Sequence, residues 1–575
     1  MTGDLFGGTF TMPRLELLDM PLEVVTNIFQ FLPGQDQKSL ALTSSAVLNI
    51  VAPTLYRTVR LYYDGSERDS KLSGLPRLDD IEHLVSSPRF PLGYAKSLSI
   101  EKKGSGLNAS NSKRSLWISR KERADLTEAS DKAIELILRR FNKGQLESIK
   151  FGHQTTYKTL KIICEDQQKL RSLDLGEFKP GGHRSTIPNH TLAPGSLTLQ
   201  SLEISEIDER ITCLTTFIKI LNQNSATLQR LRIGDPTHPR KPRLTASSWA
   251  RRPRSKTKLP FTRIYFPVLE QISIIHDHFA ERFWDAFQEI VHCGRNLSRI
   301  RISCFTDPYV LIQRLVAKGA DGIKFIQINN CRRRNHSAFQ SPLHNQLPQM
   351  RALETLQLQM CTHDDGEFQA AYASRATLRR LWLQCSANCD PKTCRSMSGL
   401  LDYATNVSFS SDKWPVLEEL AIGAPQWKNS GPASNESWLE LPMLRSLKVL
   451  RLLQWQTSTQ QQKNSQTVGK ILPRVEAYVN LLYCWSGIAF GEPPNLRIVV
   501  VDTDIGSGCP GTAVQAPLYF VIYHFDDFVQ EDGISSPLVF NENYETAMRV
   551  CKEINCSTYL LQFGPPIPER LWDNQ

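Results

Sequence analysis

Four groups of residues in the 575-residue chain have types and spacings that chemistry could use. Gly506, Gly508 and Gly511 follow a strand-like run at G-x-G-x-x-G spacing, with Asp526 downstream, the literal outline of a dinucleotide fingerprint. Such a site needs a helix N-terminus beneath the pyrophosphate, and Pro510 and Pro517 leave only a few residues before another β-like run. The spacing therefore reads as a turn. Cys361, His363, Cys385, Cys389 and Cys394 offer zinc-ligand chemistry, but no C-x-x-C pair is among them. His276-Asp277-His278 and Asp364-Asp365 offer acid–base or metal groups. Neither stands beside a recognisable nucleophile or a second carboxylate at a fixed helical step, so both read as solvated loop residues. The fourth group is basic. Residues 238–263 hold nine Lys/Arg and no acid, centred on Arg251-Arg252-Pro253-Arg254-Ser255-Lys256-Thr257-Lys258. This is either a nuclear-import or polyanion-binding tract or a solvated, disordered insertion. No catalytic set, metal site or cofactor site emerges, and an enzyme is not expected.

Bulk properties narrow the class further. The net charge of +10 falls to +1 without the nine basic residues of that segment, so the basicity belongs to one loop and not to the fold. An apolar fraction of 41% and a charged fraction of 22% are those of a folded protein. No stretch reaches the roughly 18 apolar residues of a membrane span, and Met1–Met20 lacks the basic-then-apolar order of a secretory signal. The 13 scattered cysteines fit reduced thiols, and a cytoplasmic or nuclear location or both is expected.

The elements that carry these residues form an array. One six-residue pattern, aliphatic-x-x-aliphatic-x-aliphatic, recurs from Leu146-Glu147-Ser148-Ile149-Lys150-Phe151 to Leu496…Val499…Val501, with a degenerate copy at Ala95…Leu98…Ile100. Between copies the period becomes helical, as at Ile211, Leu214, Ile218 and Leu221, or Phe283, Phe287 and Ile290. Most intervals match the leucine-rich-repeat period, which predicts an α/β solenoid with a curved parallel sheet and helices on its convex side. Twelve strands at about 4.8 Å spacing would line a concave edge roughly 55 Å long. Cys331 and Cys361 fall eight positions after Ile323 and Leu353, where such repeats place a turn-capping Asn or Cys, and Cys304 and Cys385 miss by one. All four read as structural. Beyond Val501 the pattern fades, leaving a strand at 518–525, a helix at 544–554 and a C-terminal cap or tail.

Ahead of the array, Leu17–Leu32 reads as an amphipathic helix with Asp19 as N-cap, Pro21 in the first turn and one broad apolar face of Val24, Val25, Ile28, Phe29 and Leu32. Pro33-Gly34 stops it. A second short helix follows Asp36 with Leu40 and Leu42, and a third runs from Ser45 through Val47, Leu48 and Val51 to Pro53. Three such helices form too small a core to stand alone, and docking on a partner would supply the missing burial. Leu18, Pro21, Glu23, Val24, Ile28, Leu32, Leu40, Ala41 and Leu42, with the distal Thr54-Leu55-Tyr56-Arg57, resemble the F-box family over Leu15–Leu61. The resemblance implies binding to the Skp-type adaptor of Skp–cullin–F-box ubiquitin ligases, and through it to a cullin–RING complex. It carries the adaptor contact onto Leu18, Pro21, Glu23, Val24, Ile28, Phe29, Leu32, Leu40, Leu42, Leu48 and Tyr56. Thr43-Ser44-Ser45-Ala46-Val47 replaces the family's cysteine-plus-basic stretch.

The expected organisation is a flexible 1–14, the helical motif at 15–61, a linker and N-terminal cap at 62–144, the solenoid at 145–502 and a C-terminal cap or tail at 503–575. On each strand the third and fifth pattern positions face the concave side. Arg230, Arg232, Arg299, Arg301, Phe325, Arg380 and Trp382 stand there, a set suited to an acidic or phosphorylated peptide with an apolar anchor. The expected role is non-catalytic: a ubiquitin-ligase substrate receptor that binds no membrane. The rivals are an adaptor-bound scaffold outside the ligase and a nucleic-acid-associated solenoid using the basic loop.

Overall fold

The computed structural model describes residues 20–64, 92–103, 132–152, 154–179, 197–207, 211–234, 263–275, 291–304, 322–330, 346–360, 371–385, 414–423, 444–455, 494–503, 518–523 and 537–556, with isolated positions at 287, 312, 313, 315 and between 472 and 483. They fall into two compact units, residues 1–224 and 225–575. The fold is mixed α/β, with a helical front and a parallel-dominated sheet. No helix among the described residues is long and apolar enough to cross a membrane.

The first unit opens with α1 (Leu22–Phe31), α2 (Gly34–Ala41) and α3 (Ser45–Leu55). Pro21, not Asp19, is the N-cap of α1, and its carbonyl accepts from the Val24 and Val25 N–H groups at 2.9 and 3.1 Å. Pro33 ends one helix by starting the next, since a fixed φ and a missing N–H suit a helix entry. The Ser44 hydroxyl caps α3 by accepting from the Val47 N–H at 3.1 Å. Pro53 lies inside α3 and does not end it, and the helix continues to Leu55.

A parallel sheet follows in chain order: β1 (Thr58–Asp64), β2 (Ser97–Lys103), β3 (Ser148–Phe151), β4 (Ser172–Asp174) and β5 (Ser201–Ile204). It begins well before the expected start at 145, with Val59 and Leu61 of β1 buried opposite Leu98 and Ile100 of β2. Helices α4 (Tyr157–Asp166) and α5 (Ile211–Gln223) supply the helical halves of two repeats. Three very short strands, Gln154–Thr156, Glu177–Lys179 and Glu206–Ile207, pair into a second small sheet.

The second unit continues the pattern with β6 (Arg230–Ile233), β7 (Gln271–Ile275), β8 (Arg299–Cys304), β9 (Phe325–Asn330), β10 (Thr355–Met360), β11 (Arg380–Cys385), β12 (Glu419–Gly423), β13 (Val449–Trp455) and β14 (Ile498–Thr503). All are parallel and neighbour one another in chain order. Two antiparallel strands, β15 (Leu518–Tyr523) and β16 (Leu538–Glu542), close this edge, followed by α6 (Tyr544–Glu553).

Register explains why the pattern is six residues long. Its fourth position forms a continuous buried row, Leu231–Ile272–Ile300–Ile326–Leu356–Leu381–Leu420–Leu450–Val499, and the sixth forms a second row beside it from Ile233 to Leu383. Each such side chain contributes about 1.5–3 kcal/mol when fully buried, and no single strand could bury its own. The second position sets the spacing. The carbonyl of Lys324, for example, accepts from both Glu354 and Thr355 N–H groups at 2.9 and 3.0 Å, and Glu354 does the same for Arg379 and Arg380. Opposite charges meet at this position in several neighbouring strands, giving Lys96–Glu147, Lys324–Glu354, Arg379–Glu418 and Lys448–Glu418 pairs at 3.6, 3.8, 3.9 and 3.8 Å.

Buried amides tie consecutive repeats together. Gln167 Oε1 accepts from the Leu146 N–H at 2.9 Å, and Asn224 Oδ1 accepts from the Leu199 N–H at 2.8 Å while its Nδ2 donates to the Ile220 carbonyl at 2.9 Å. The cysteines expected in a capping role, Cys331 and Cys361, lie outside the described residues, and Cys304 and Cys385 are the last residues of β8 and β11. Asn224→Ala strands the buried Leu199 donor and should cost about 1–3 kcal/mol, read as a lower urea midpoint, whereas Lys219→Ala on the exposed side of α5 should leave it unchanged.

Candidate functional site

The helical front has two apolar surfaces, and it fills only one. Val25 and Phe29 of α1 meet Val47 and Val51 of α3, with Met20, Leu32, Leu40, Ile50 and Leu55 packed around them. Gln37 of α2, itself buried, donates from Nε2 to the Phe29 and Leu32 carbonyls at 2.8 and 3.0 Å, satisfying the C-terminal end of α1. The broad face expected on α1 is thus divided. Val24, Ile28 and Phe31, at steps of four and three, turn outward with Leu22, and Leu42 and Leu48 join them as exposed large apolar residues.

Phe31 is 89% exposed and Leu42 is 88% exposed, far from the usual state of such side chains. Phe29, assigned above to the adaptor contact, is only 1% exposed and belongs to the internal cluster. Leu32 and Leu40 are partly buried in that cluster, and Tyr56 is half-buried as the C-cap of α3. Pro21 and Glu23 are exposed, and Leu18 lies outside the described residues. Leu22 and Phe31 were not singled out from the sequence. Phe31 was legible as the next step after Val24 and Ile28, but it sits beside the helix stop and reads there as a terminus.

The other candidate surface is the sheet face formed by the third and fifth pattern positions. The register aligns Arg230–Gln271–Arg299–Phe325–Thr355–Arg380–Glu419 in one row and Arg232–Ser273–Arg301–Gln327–Gln357–Trp382–Ala421–Arg451 in the next. The two arginine pairs therefore lie two strands apart, as the spacing predicts. Arg230 is exposed, Arg232 and Arg299 are half-buried, and Arg301 is 4% exposed. Burial, then the like charges of Arg230 and Arg380, hold Arg299 below the ordinary guanidinium range, with Glu270 acting the other way.

The far half of this face is not open. Ala547, Val550 and Cys551 of α6 pack on Trp382, Ala421, Val449, Ile498 and Val500, with Phe325 partly buried at the border. Trp382 is 2% exposed and lies under the Arg451 guanidinium at 4.8 Å, so it is not the exposed aromatic the pattern suggested. Arg380 is committed as well: its Nε donates to the wholly buried Glu419 carboxylate at 3.1 Å. The reason is written in the sequence. From β11 onward Trp382, Ala421, Val449, Ile498 and Val500 enter the third and fifth positions beside Arg380, Glu419 and Arg451, and the amphipathic helix α6 packs on the apolar ones.

The remaining candidates fall mostly outside the described residues: the glycine triplet at 506–511 with Asp526, the basic segment apart from the exposed Arg263, His276-Asp277-His278, Asp364-Asp365, and Cys361, His363, Cys389 and Cys394. Among the described residues no group of three or more His, Cys, Asp or Glu could hold a metal ion. Burial pushes the Cys293 thiol up to about 12.

No curated protein matches the chain. The F-box domain family matches residues 17–52, the span of α1, α2 and most of α3. Those residues carry an F-box domain, and this supports an F-box protein.

Proposed function

We propose that the chain is the non-catalytic substrate-recognition subunit of a Skp–cullin–F-box ubiquitin ligase. The F-box docks on a Skp-type adaptor, and through it on a cullin–RING complex. The repeats act as a leucine-rich-repeat solenoid that holds a target protein in the cytoplasm, the nucleus or both. One observation carries this reading: an F-box match coincides with a helical front whose outward apolar residues have nothing to cover them among the described residues. Covering Phe31 and Leu42 alone would contribute about 1.5–3 kcal/mol each before the cost of association is subtracted.

The physical task of such a subunit is proximity. Binding the adaptor with one part and the target with another converts ubiquitin transfer into an effectively intramolecular encounter. The chemistry then belongs to a separate conjugating enzyme, and this chain needs no nucleophile of its own.

Phe31→Glu with Leu42→Asp should lower affinity for a Skp-type adaptor by roughly 100-fold or more, since each lost burial is worth about tenfold or better. Both side chains are outside the internal cluster, so helical content measured by circular dichroism should not change. Phe29→Ala, by contrast, should unfold the helical front and cost about 3–5 kcal/mol. In a reconstituted ligase, the wild-type chain should direct ubiquitin onto a protein it captures. Capture together with the adaptor but without any transfer would identify a scaffold acting outside the ligase.

A further inference from the structure

A strand at the edge of a sheet leaves backbone N–H and C=O groups unpaired, and proteins blunt such edges with charge, proline, bulges or a covering element. In the first unit the edge strand β1 carries the exposed Arg60 between Val59 and Leu61, both buried. The edge strand of the second unit, β16, has Pro537 before it and Glu542 at its end, but no such device along Leu538, Val539 and Phe540. It pairs with β15 through five consecutive residues without a bulge. Val539, opposite Ile522, is buried, whereas Leu538 and Phe540 are 43% and 46% exposed. Phe540 meets the Tyr523 ring edge-on at 5.6 Å. Among the described residues the backbone of Leu538–Glu542 pairs only with β15.

We propose that the outer edge of β16 is a strand-addition site for a short extended segment of a partner protein, one with two apolar residues and one basic residue at alternate positions. The register fixes which side chains meet the newcomer. Leu538, Phe540 and Glu542 stand opposite Tyr523, Val521 and Tyr519, on the sheet face against which α6 packs. A strand added to β16 sets its own alternate side chains opposite Leu538, Phe540 and Glu542. The first two call for apolar partners and the third for a cation. Neither β15 nor β16 contains a Lys or Arg, and Arg549 of α6 is paired with Glu553 at 3.9 Å. The Glu542 carboxylate accepts from the Tyr523 hydroxyl, which holds it at the face beside the edge. Backbone hydrogen bonds then supply affinity, and the three side-chain pairs supply selectivity.

A second copy of the chain fits this edge less well. Two β16 strands paired antiparallel about Phe540 set Leu538 against the Glu542 charge of the other copy, twice over. Sliding the pair to bring Leu538 opposite Phe540 draws Pro537, which has no N–H, into the ladder. Five residues also bury far less than the roughly 1,600 Å² of a standard stable interface.

The test uses the full chain and fluorescence anisotropy with fluorescein-labelled peptides. Lys-Thr-Val-Thr-Val and Val-Thr-Val-Thr-Lys satisfy the pattern in the antiparallel and parallel sense, and the one that binds better gives the orientation. Its Glu-for-Lys version and its fully N-methylated version should each bind about tenfold more weakly or worse. Phe540→Lys should weaken binding by about tenfold or more without moving the urea midpoint, because the side chain is already exposed. Tyr265→Lys, at an exposed aromatic on the strand Ile264–Phe266, should change binding less than about twofold. Glu542→Lys should reverse the preference between the Lys and Glu peptides. The site stands apart from the ligase reading, so Phe540→Lys should bind a Skp-type adaptor as the wild-type chain does. Absence of binding by both lysine peptides would overturn the site. So would an equal loss in Tyr265→Lys, undiminished binding of the N-methylated peptide, or a preference unchanged by Glu542→Lys. A wild-type dimer in sedimentation that Phe540→Lys returns to monomer would give the edge to a second copy and overturn it as well.

Discussion

Helix α1 carries two apolar stripes, and the helical front is too small to bury both. Val25 and Phe29 close against α3, which leaves Val24, Ile28 and Phe31 facing away from the only core the three helices can make. Turning α1 about its axis would exchange the stripes and not remove the excess. This surplus of apolar surface over the core available among the described residues is the constraint from which the functional reading follows. Gln37 matters here out of proportion to its size. By holding the end of α1 from within, it fixes which stripe points outward.

The sheet obeys a different rule. A strand has period two, so a pattern of aliphatic residues at its fourth and sixth positions commits one face to the core and leaves the third and fifth free to vary. In the second unit this freedom is used in two ways. On β6 to β10 these positions are mostly polar apart from Phe325, whereas Trp382, Ala421, Val449, Ile498 and Val500 on β11 to β14 receive α6. The expected concave face is thus divided between a polar surface and an interior, and Trp382, Arg380 and Arg451 belong to the interior.

Much of this was legible from residue spacing. The strands lie where the six-residue pattern places them, because three aliphatics at fixed steps have only one way to be buried together. The helix at Ile211–Gln223 and the C-terminal helix were equally visible from their periods. What spacing could not supply was the partner of each surface. The apolar residues of α1 read as one face because periodicity gives a direction and not the width of what packs against it. Trp382 read as exposed because its neighbours across the sheet, Gln357 and Ala421, are distant in sequence, and its cover, α6, more distant still. Strand β1 was missed because Val59 and Leu61 sit behind a helix whose end the sequence marks poorly, and the three-residue strands are too short to show any period.

Amide hydrogen exchange on the full chain, with and without a Skp-type adaptor, addresses the central claim most directly. The account predicts that the adaptor slows exchange in α1, α2 and the start of α3, residues 22–48, and leaves β6 to β14 unchanged. Unaltered exchange across 22–48 at saturating adaptor, or protection confined to the strands, would contradict it.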